Sequence, residues 1–423
     1  MSLTKHNKVL RVFEHAELRY QKNGSFQKEH WEALSRYNEK YGNRYFTVLH
    51  NGIKFSSYVG VIQAGNITIE VLPKTDRENL NTEEEKKKWH NMLLDMLQAC
   101  RLIRINQVNT ASLQFKSNSI LDIYIAMFLR EVEKLLHKGL IKKYRRHPEN
   151  IPVLKGRLDF NRHITINLVR KEKFFVQHTV YDRENILNQI LHEALKIIPS
   201  LNPQSSSIGK LHNIKLNFPE LPPSKITPAL FNRLYFNRGN FHYKPALDIA
   251  KMLLLNYRPN ITGGTHQVIA ILFDMNFLWE EYIFRKLRQL HTADLQVSRQ
   301  QSQHFWQGTM SIKPSSIIPD IIIRKGDQFF ILDTKWKLVP DLKPAAADLN
   351  QMFAYNLYWK CSHSILLYPG NQYQKHTGTY FNFHTKELPE NNCSVATCNV
   401  LDEQNKLDGN IALRILSELC GLI

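Results

Sequence analysis

The stretch that most limits the fold runs from Ile317 to Trp336 and reads IIPDIIIRKGDQFFILDTKW. Two apolar runs, Ile321-Ile322-Ile323 and Phe329-Phe330-Ile331-Leu332, flank the polar segment Arg324-Lys325-Gly326-Asp327. Short β-branched and aromatic runs on either side of a Gly-containing turn predict a β-hairpin. Three charged residues sit inside this apolar frame: Asp320 on the first strand, Asp333 and Lys335 near the end of the second. Residues two apart in a strand face the same way, so Asp333 and Lys335 share a face. Such a group suits phosphodiester hydrolysis. Two carboxylates can hold Mg²⁺, which polarises a phosphoryl oxygen and makes a nucleophilic water available at neutral pH. A nearby lysine can orient that water or offset the charge of the transition state. The competing reading is a set of polar residues at the exposed end of a hairpin, since Pro-Asp and Asp-x-Lys are each weak motifs. The cost of leaving charge unpaired beside such apolar strands favours the catalytic one.

At 423 residues two domains or more are expected, and a hydrophobic share of 43% is enough for real cores. Lys plus Arg is 56 against 38 Asp plus Glu, a net charge of +18, which favours a polyanion, with nucleic acid ahead of a membrane surface. Five scattered cysteines argue against a disulfide framework, and Cys393 with Cys398 lack the second pair that a metal knuckle needs. The first residues lack the apolar core of a signal peptide, and no run is long enough for a membrane span, so a cytoplasmic protein is expected.

Along the chain, Phe46–His50 before Asn51-Gly52 predicts a hairpin, followed by strands at Tyr58–Ile62 and Asn66–Leu72, a small β-meander or partial barrel. Thr82 with Glu85 predicts a capped helix over 82–103, and apolar spacing predicts helices over 118–138, 184–198 and 246–257. The basic cluster Lys142–His147 with its Tyr144 suits phosphate binding or a solvated strand. Leu154–Phe160 suggests a tight backbone feature in a short strand. Residues 200–226 and Pro259–Thr265 read as loops, and Gly263-Gly264 does not fit a phosphate loop. A strong amphipathic helix is expected over 271–290, with Glu280 and Glu281 in its middle. One of them reads as an ordinary exposed glutamate, the other as a further metal or water ligand facing the hairpin. Asp348, Gln351 and Tyr355 share one face of the next helix, which is either a face toward the scissile strand or simply an amphipathic one. Strands at Ser364–Tyr368 and Tyr380–Phe383 and a helix over 409–420 complete an α/β core.

Asp320, Asp333 and Lys335 resemble the PD-(D/E)xK nuclease signature. The wider chain resembles the McrC family, the nuclease subunits of McrBC modification-dependent (type IV) restriction systems. The similar segments are Tyr58–Ile62 with Ile69–Lys74, Leu154–Asp159, Met275–Glu280, Pro319-Asp320 to Lys337, and Asp348 with Gln351–Tyr355. Trp279 departs from the phenylalanine expected there, and extra length falls near 200–226 and after 385. The resemblance implies a mixed α/β (α+β) chain. Residues 1–175 would form a β-containing N-terminal domain that binds and activates a partner. Residues 176–423 would form a helical lead-in and a PD-(D/E)xK restriction-endonuclease-like domain. It implies Asp320, Asp333, Lys335, Glu280 and Gln351 as site residues, with Asp320, Asp333 and more weakly Glu280 holding Mg²⁺. It also implies a McrB-like hexameric AAA+ GTPase partner and modified double-stranded DNA as substrate (5-methylcytosine in the family's type). Double-strand cleavage needs two cuts, so pairing of two nuclease domains in the assembled complex is expected, and the lack of a spanning run predicts no membrane partner. Two rivals stand beside this: a self-sufficient PD-(D/E)xK repair nuclease, and a non-cleaving activator of the AAA+ partner.

Overall fold

The hairpin lies at the heart of a six-stranded sheet in the computed structural model. This structure describes residues 8–22, 24–74, 82–102, 119–169, 171–201, 205, 207–258, 268–309, 313–326, 328–381 and 391–421. The fold is mixed α/β and divides into two units. One comprises Met1–Lys8, Gln63–Thr68 and Val108–Ile271; the other comprises Val9–Ile62, Ile69–Gln107 and Leu272–Ile423.

In the second unit, helix α1 (Met275–Gln289) precedes strand β1 (Leu295–Arg299), then β2 (Ile321–Lys325) and β3 (Gln328–Thr334). Helix α2 (Ala346–Trp359) leads to β4 (His363–Gly370), β5 (Gln374–Thr379) and β6 (Asn392–Asn399). The sheet order is β1-β2-β3-β4-β6-β5. The β1–β2, β2–β3 and β5–β6 pairs are antiparallel, whereas β3–β4 and β4–β6 are parallel. A parallel step needs a crossover, and α2 supplies the one from β3 to β4. Strands covered on both faces read as unbroken apolar runs: Ile321–Ile323, Ile331-Leu332 and Ile365–Leu367 are all buried. Met352 and Tyr355 of α2 pack with Ile331 and Leu366 in the core beneath the helix.

Two strand expectations need correction. The edge strand runs over Gln374–Thr379, not Tyr380–Phe383; Tyr380 and Phe381 lie outside any strand, and 382–383 lie outside the described residues. The sequence QKHTGT is polar and mostly exposed, so no apolar alternation marks it. Before α1, residues Val268–Asp274 form a strand, so the helix predicted from 271 starts at Met275. Asp274 sets that start: its carboxylate accepts the Asn276 N–H at 2.9 Å as an N-cap.

The same unit holds a sheet of Glu17–Arg19, Gly52–Phe55 and Phe46–Leu49, in which Leu49 pairs with Gly52, so the hairpin turn falls at His50-Asn51, one residue before the predicted Asn51-Gly52. Helix Glu83–Ala99 starts at Thr82, whose side chain accepts the Glu85 N–H, and it buries Trp89, Met92, Leu93, Met96 and Leu97.

The first unit is helical at its centre, with Ile120–Lys138, Ile186–Leu201, Ile208–Asn217 and Lys244–Asn256. The third of these replaces part of the loop expected over 200–226. Leu211 and Ile214, three apart, bury one face of it despite the surrounding Ser, Asn and Pro. Lys143–Ile151, Phe174–Asp182 and Arg157-Leu158 form a three-stranded sheet that carries the basic cluster on its first strand. Gly156 there has φ +76, and a Cβ on it would meet Gln177 O at 2.5 Å, so only glycine fits this close approach. The expected Gly263-Gly264 loop lies outside the described residues.

All five cysteines are buried and free. Among the described residues no helix is long and apolar enough to cross a membrane.

Candidate active site

Strand register builds the site. Ile321 pairs with Leu332 at the open end of the β2–β3 hairpin, so the next residues outward are Asp320 and Asp333. Two acids separated by twelve residues in sequence are thereby set side by side. Asp320 is anchored from β3: its Oδ2 accepts the Thr334 N–H at 2.8 Å and the Thr334 hydroxyl at 3.0 Å. Asp333 pairs with Leu366 of β4 in the sheet interior and is 0% exposed. The Lys335 N–H donates to Leu367 O at 3.0 Å, which carries the strand direction one residue beyond β3. Lys335 Nζ therefore falls on the Asp333 face, 2.7 Å from Oδ2.

Helix α2 presents the predicted polar face to this end of the hairpin. Gln351 Oε1 accepts from Lys335 Nζ at 3.2 Å, Gln351 Nε2 donates to the Tyr355 hydroxyl at 2.7 Å, and Tyr355 donates to Ile318 O at 2.8 Å. This chain ties the lysine to the segment just before Pro319-Asp320. Asp348, one turn earlier, pairs with Lys337 at 2.5 Å and accepts the Tyr368 hydroxyl at 3.1 Å.

The electrostatics are those of crowded, half-dry carboxylates. Burial pushes Asp333 up from the ordinary carboxylate range, and the neighbouring Asp320 pushes it further, against the pull of Lys335. Burial likewise raises Asp320, opposed by the Thr334 hydrogen bonds. Lys335 is held above its usual value: burial alone would lower it, but Asp333, Asp320 and Asp348 outweigh burial. Glu280 on α1 is pushed up to about 7, first by burial and then by Asp320, with Arg299 opposing.

Glu280 is thus the glutamate whose charge feels the hairpin acids. One of the pair was expected to be an ordinary exposed glutamate, but Glu281 is buried. It pairs with Arg285 at 2.5 Å and with Arg299 of β1. Its position on α1 turns it toward β1, where the two guanidiniums replace water.

The donors suit a hard cation. Asp333 Oδ1 is buried and has no hydrogen-bond partner among the described residues. The donor set is all oxygen, and a bound dication would offset the burial that raises both carboxylates and the Asp320 charge that raises Asp333 further. Asp320 and Asp333 are the residues brought together. Among the described residues no group of three or more His, Cys, Asp or Glu side chains is arranged to hold a metal, so Glu280 stands near the pair without completing a cage. Mg²⁺ commonly uses one or two carboxylates and keeps several waters, so the pair suffices.

Sequence reading missed Thr334, although it lies inside the Asp-Thr-Lys motif. It also missed Trp336, whose backbone N–H donates to Asn276 Oδ1 of α1 at 3.0 Å and whose ring meets Trp279 edge-on at 5.5 Å. Asn276 and Trp279 belong to the Met275–Glu280 segment singled out from sequence, which was the one available signal.

Comparison with known proteins places this arrangement. A family model described as the McrBC 5-methylcytosine restriction system component matches residues 53–369, which include Glu280, Asp320, Asp333, Lys335 and Gln351. The chain is 22% identical over 242 residues to the type IV methyl-directed restriction enzyme EcoKMcrBC of Escherichia coli (strain K12), covering 55% of this chain and 69% of that protein. Its fold is similar to a chain in a half-complex from a tetradecameric assembly of Thermococcus gammatolerans McrB AAA+ hexamers with bound McrC. The TM-score is 0.68 at 18% identity, over 98% of this chain and 100% of that one. A chain of the T. gammatolerans McrBC complex matches with TM-score 0.51 at 21% identity, over 67% of this chain and 89% of that one.

Proposed function

The chain belongs to the McrBC 5-methylcytosine restriction system component family, and on that premise we propose that it is a McrC-like nuclease subunit. It cleaves modified double-stranded DNA by Mg²⁺-dependent phosphodiester hydrolysis, in complex with a hexameric AAA+ GTPase whose hydrolysis it stimulates. The observation that carries the nuclease reading is the juxtaposition of Asp320, Asp333 and Lys335 at one end of an otherwise apolar hairpin, with a buried Asp333 oxygen left unpaired. The partner reading rests on the fold likeness to a chain from McrB hexamers with bound McrC. The N-terminal part, to about residue 175, is the segment proposed to engage that partner. Its exposed Tyr144, beside Lys142, Lys143 and Arg146, offers a mixed aromatic and basic surface for it.

Asp320 and Asp333 would hold Mg²⁺, which when bound supplies Lewis acidity and a water that ionises near neutral pH. Thr334 fixes the Asp320 carboxylate, so that it does not swing away as charge builds. Lys335, kept protonated by three acids, offsets the negative charge that develops on the phosphate and orients the attacking water. Gln351 and Tyr355 hold the lysine's amino group in place, so its position is set before DNA arrives. Glu280 is an accessory residue at the edge of the site.

The test is to combine this chain with its AAA+ partner, GTP, Mg²⁺ and plasmid DNA, either 5-methylcytosine-modified or unmodified. Linear product from modified DNA alone, and only with partner and GTP, is the expected result. Cleavage without the partner would favour a self-sufficient nuclease. Stimulated GTP hydrolysis without cleavage of any DNA in a panel of modifications would favour a non-cleaving activator.

A further inference from the structure

The residue after the candidate lysine is held from the far end of the chain. Glu14 is 6% exposed, and its Oε1 accepts the Trp336 indole N–H at 2.7 Å and the Lys74 backbone N–H at 2.9 Å. Its Oε2 makes no hydrogen bond among the described residues; His15 Nε2 lies 3.9 Å away. A buried carboxylate with one oxygen unpaired weakens a fold, so local packing gives no reason for it. Glu14 also lies outside the stretch 53–369 that the family model matches.

Trp336 explains the contact. It is fixed at three points: by Glu14 at the indole, by Asn276 at the backbone, and by Trp279 against the ring. Asn276 and Trp279 are on α1, and Trp279 directly precedes Glu280. Regular strand pairing ends at Thr334, and beyond it only the Lys335 N–H reaches β4. The backbone at Lys335 is therefore set on one side by the sheet and on the other by Trp336. Loss of the indole anchor would leave the backbone beyond Lys335 held by Asn276 alone, and so loosen the placement of Lys335 against Asp333.

We infer that Glu14 is a positioning residue of the nuclease site, acting through the Trp336 indole on Lys335. This rests on the nuclease reading above. It also gives a role to the Ile69–Lys74 segment, whose last N–H completes the Glu14 anchor. Burial pushes the Glu14 carboxyl up to about 7, against the pull of the Trp336 and Lys74 hydrogen bonds. A neutral acceptor is thus compatible with the site, and glutamine should replace glutamate.

The experiment measures cleavage of modified plasmid by the full chain with its AAA+ partner, GTP and Mg²⁺, and GTP hydrolysis in the same reactions. The variants are Glu14→Leu, Trp336→Phe, the double variant and Glu14→Gln, with Asp333→Asn as control. Glu14→Leu and Trp336→Phe should each lower kcat for cleavage by roughly 10- to 100-fold, the loss expected for a misplaced group. KM for DNA and GTPase stimulation should not change. The double variant should fall no further than the lower single, because both remove the same hydrogen bond, and Glu14→Gln, which keeps the acceptor, should recover activity to within about 2-fold. The inference is overturned if Glu14→Leu or Trp336→Phe cuts like wild type, if the losses multiply in the double, or if Gln falls as far as Leu. Should Glu14→Leu fail to fold, Trp336→Phe and Glu14→Gln still decide. Cleavage by Asp333→Asn would instead overturn the nuclease reading itself.

Discussion

Asp333 on β3 and Glu281 on α1 are both buried acids of the same unit, yet they are provided for in opposite ways. Glu281 has an arginine for each oxygen, Arg285 for Oε1 and Arg299 for Oε2. Asp333 has one lysine at one oxygen, a second acid beside it, and no donor at Oδ1. A buried charge that is fully paired holds elements together, and removing it harms the fold. One that is left short of partners burdens the fold and fits a ligand that arrives later. Neighbouring Glu280 belongs with Asp333 in this respect, although it is only one residue from Glu281.

The sharpest way to break this contrast is substitution at the two acids. Asp333→Ala should lower DNA cleavage by about 10³-fold or more while GTPase stimulation persists, as expected when a charge-stabilising group is lost from the reacting centre. Parallel cleavage and GTP-hydrolysis assays check this, and equal loss of both activities would count against it. Glu281→Ala should instead destabilise the unit by about 2 kcal/mol or more, through two arginines left without a partner. Chemical denaturation reads that loss, and a variant that unfolds like wild type but no longer cuts would reverse the assignment.

A smaller effect is expected at Gln351→Ala. It leaves both carboxylates in place and frees only the lysine, so cleavage should fall roughly 10-fold with little change in KM for DNA. A rise in KM alone would show that Gln351 binds DNA rather than holding Lys335.

The smallest effect is a pH dependence at Glu14, the third under-partnered acid. Its folded value is raised to about 7 from the ordinary glutamate value of 4.5. Between those limits the folded state binds the extra proton, so its contribution to stability is present below about 4.5 and is lost as pH rises toward 7. Glutamine cannot ionise. The melting temperature of Glu14→Gln should therefore gain on wild type as pH rises through that window and level off above it. A constant difference from pH 4 to 8 would show that Glu14 is not the group responsible.

Much of this site was legible in the sequence because its parts are local. The turn at Gly326 and the apolar runs beside it fixed the hairpin, and a two-residue period put Asp333 and Lys335 on one face. A helical period likewise put Gln351 and Tyr355 on the face that meets Lys335 and Ile318. The anchors that come from afar left no such mark. Glu14 reaches Trp336 across 322 residues, and nothing in periodicity reports which distant strand end approaches a tryptophan. Period also could not separate Glu280 from Glu281, because the difference depends on Arg299, which arrives on another element. Strands β5 and β6 escaped for a chemical reason: QKHTGT is polar, and NCSVATCN buries small side chains that give little hydropathy contrast.

The proposed nuclease chemistry depends on an Asp333 kept under-partnered so that it can hold a divalent cation. Mn²⁺ binding to the full-length chain, followed by electron paramagnetic resonance in the absence of DNA and partner, tests it directly by comparing wild type with Asp333→Asn. Bound Mn²⁺ is expected in wild type, displaced by Mg²⁺, with affinity at least about 10-fold weaker in a folded Asp333→Asn. Equal Mn²⁺ binding by the two proteins would contradict it.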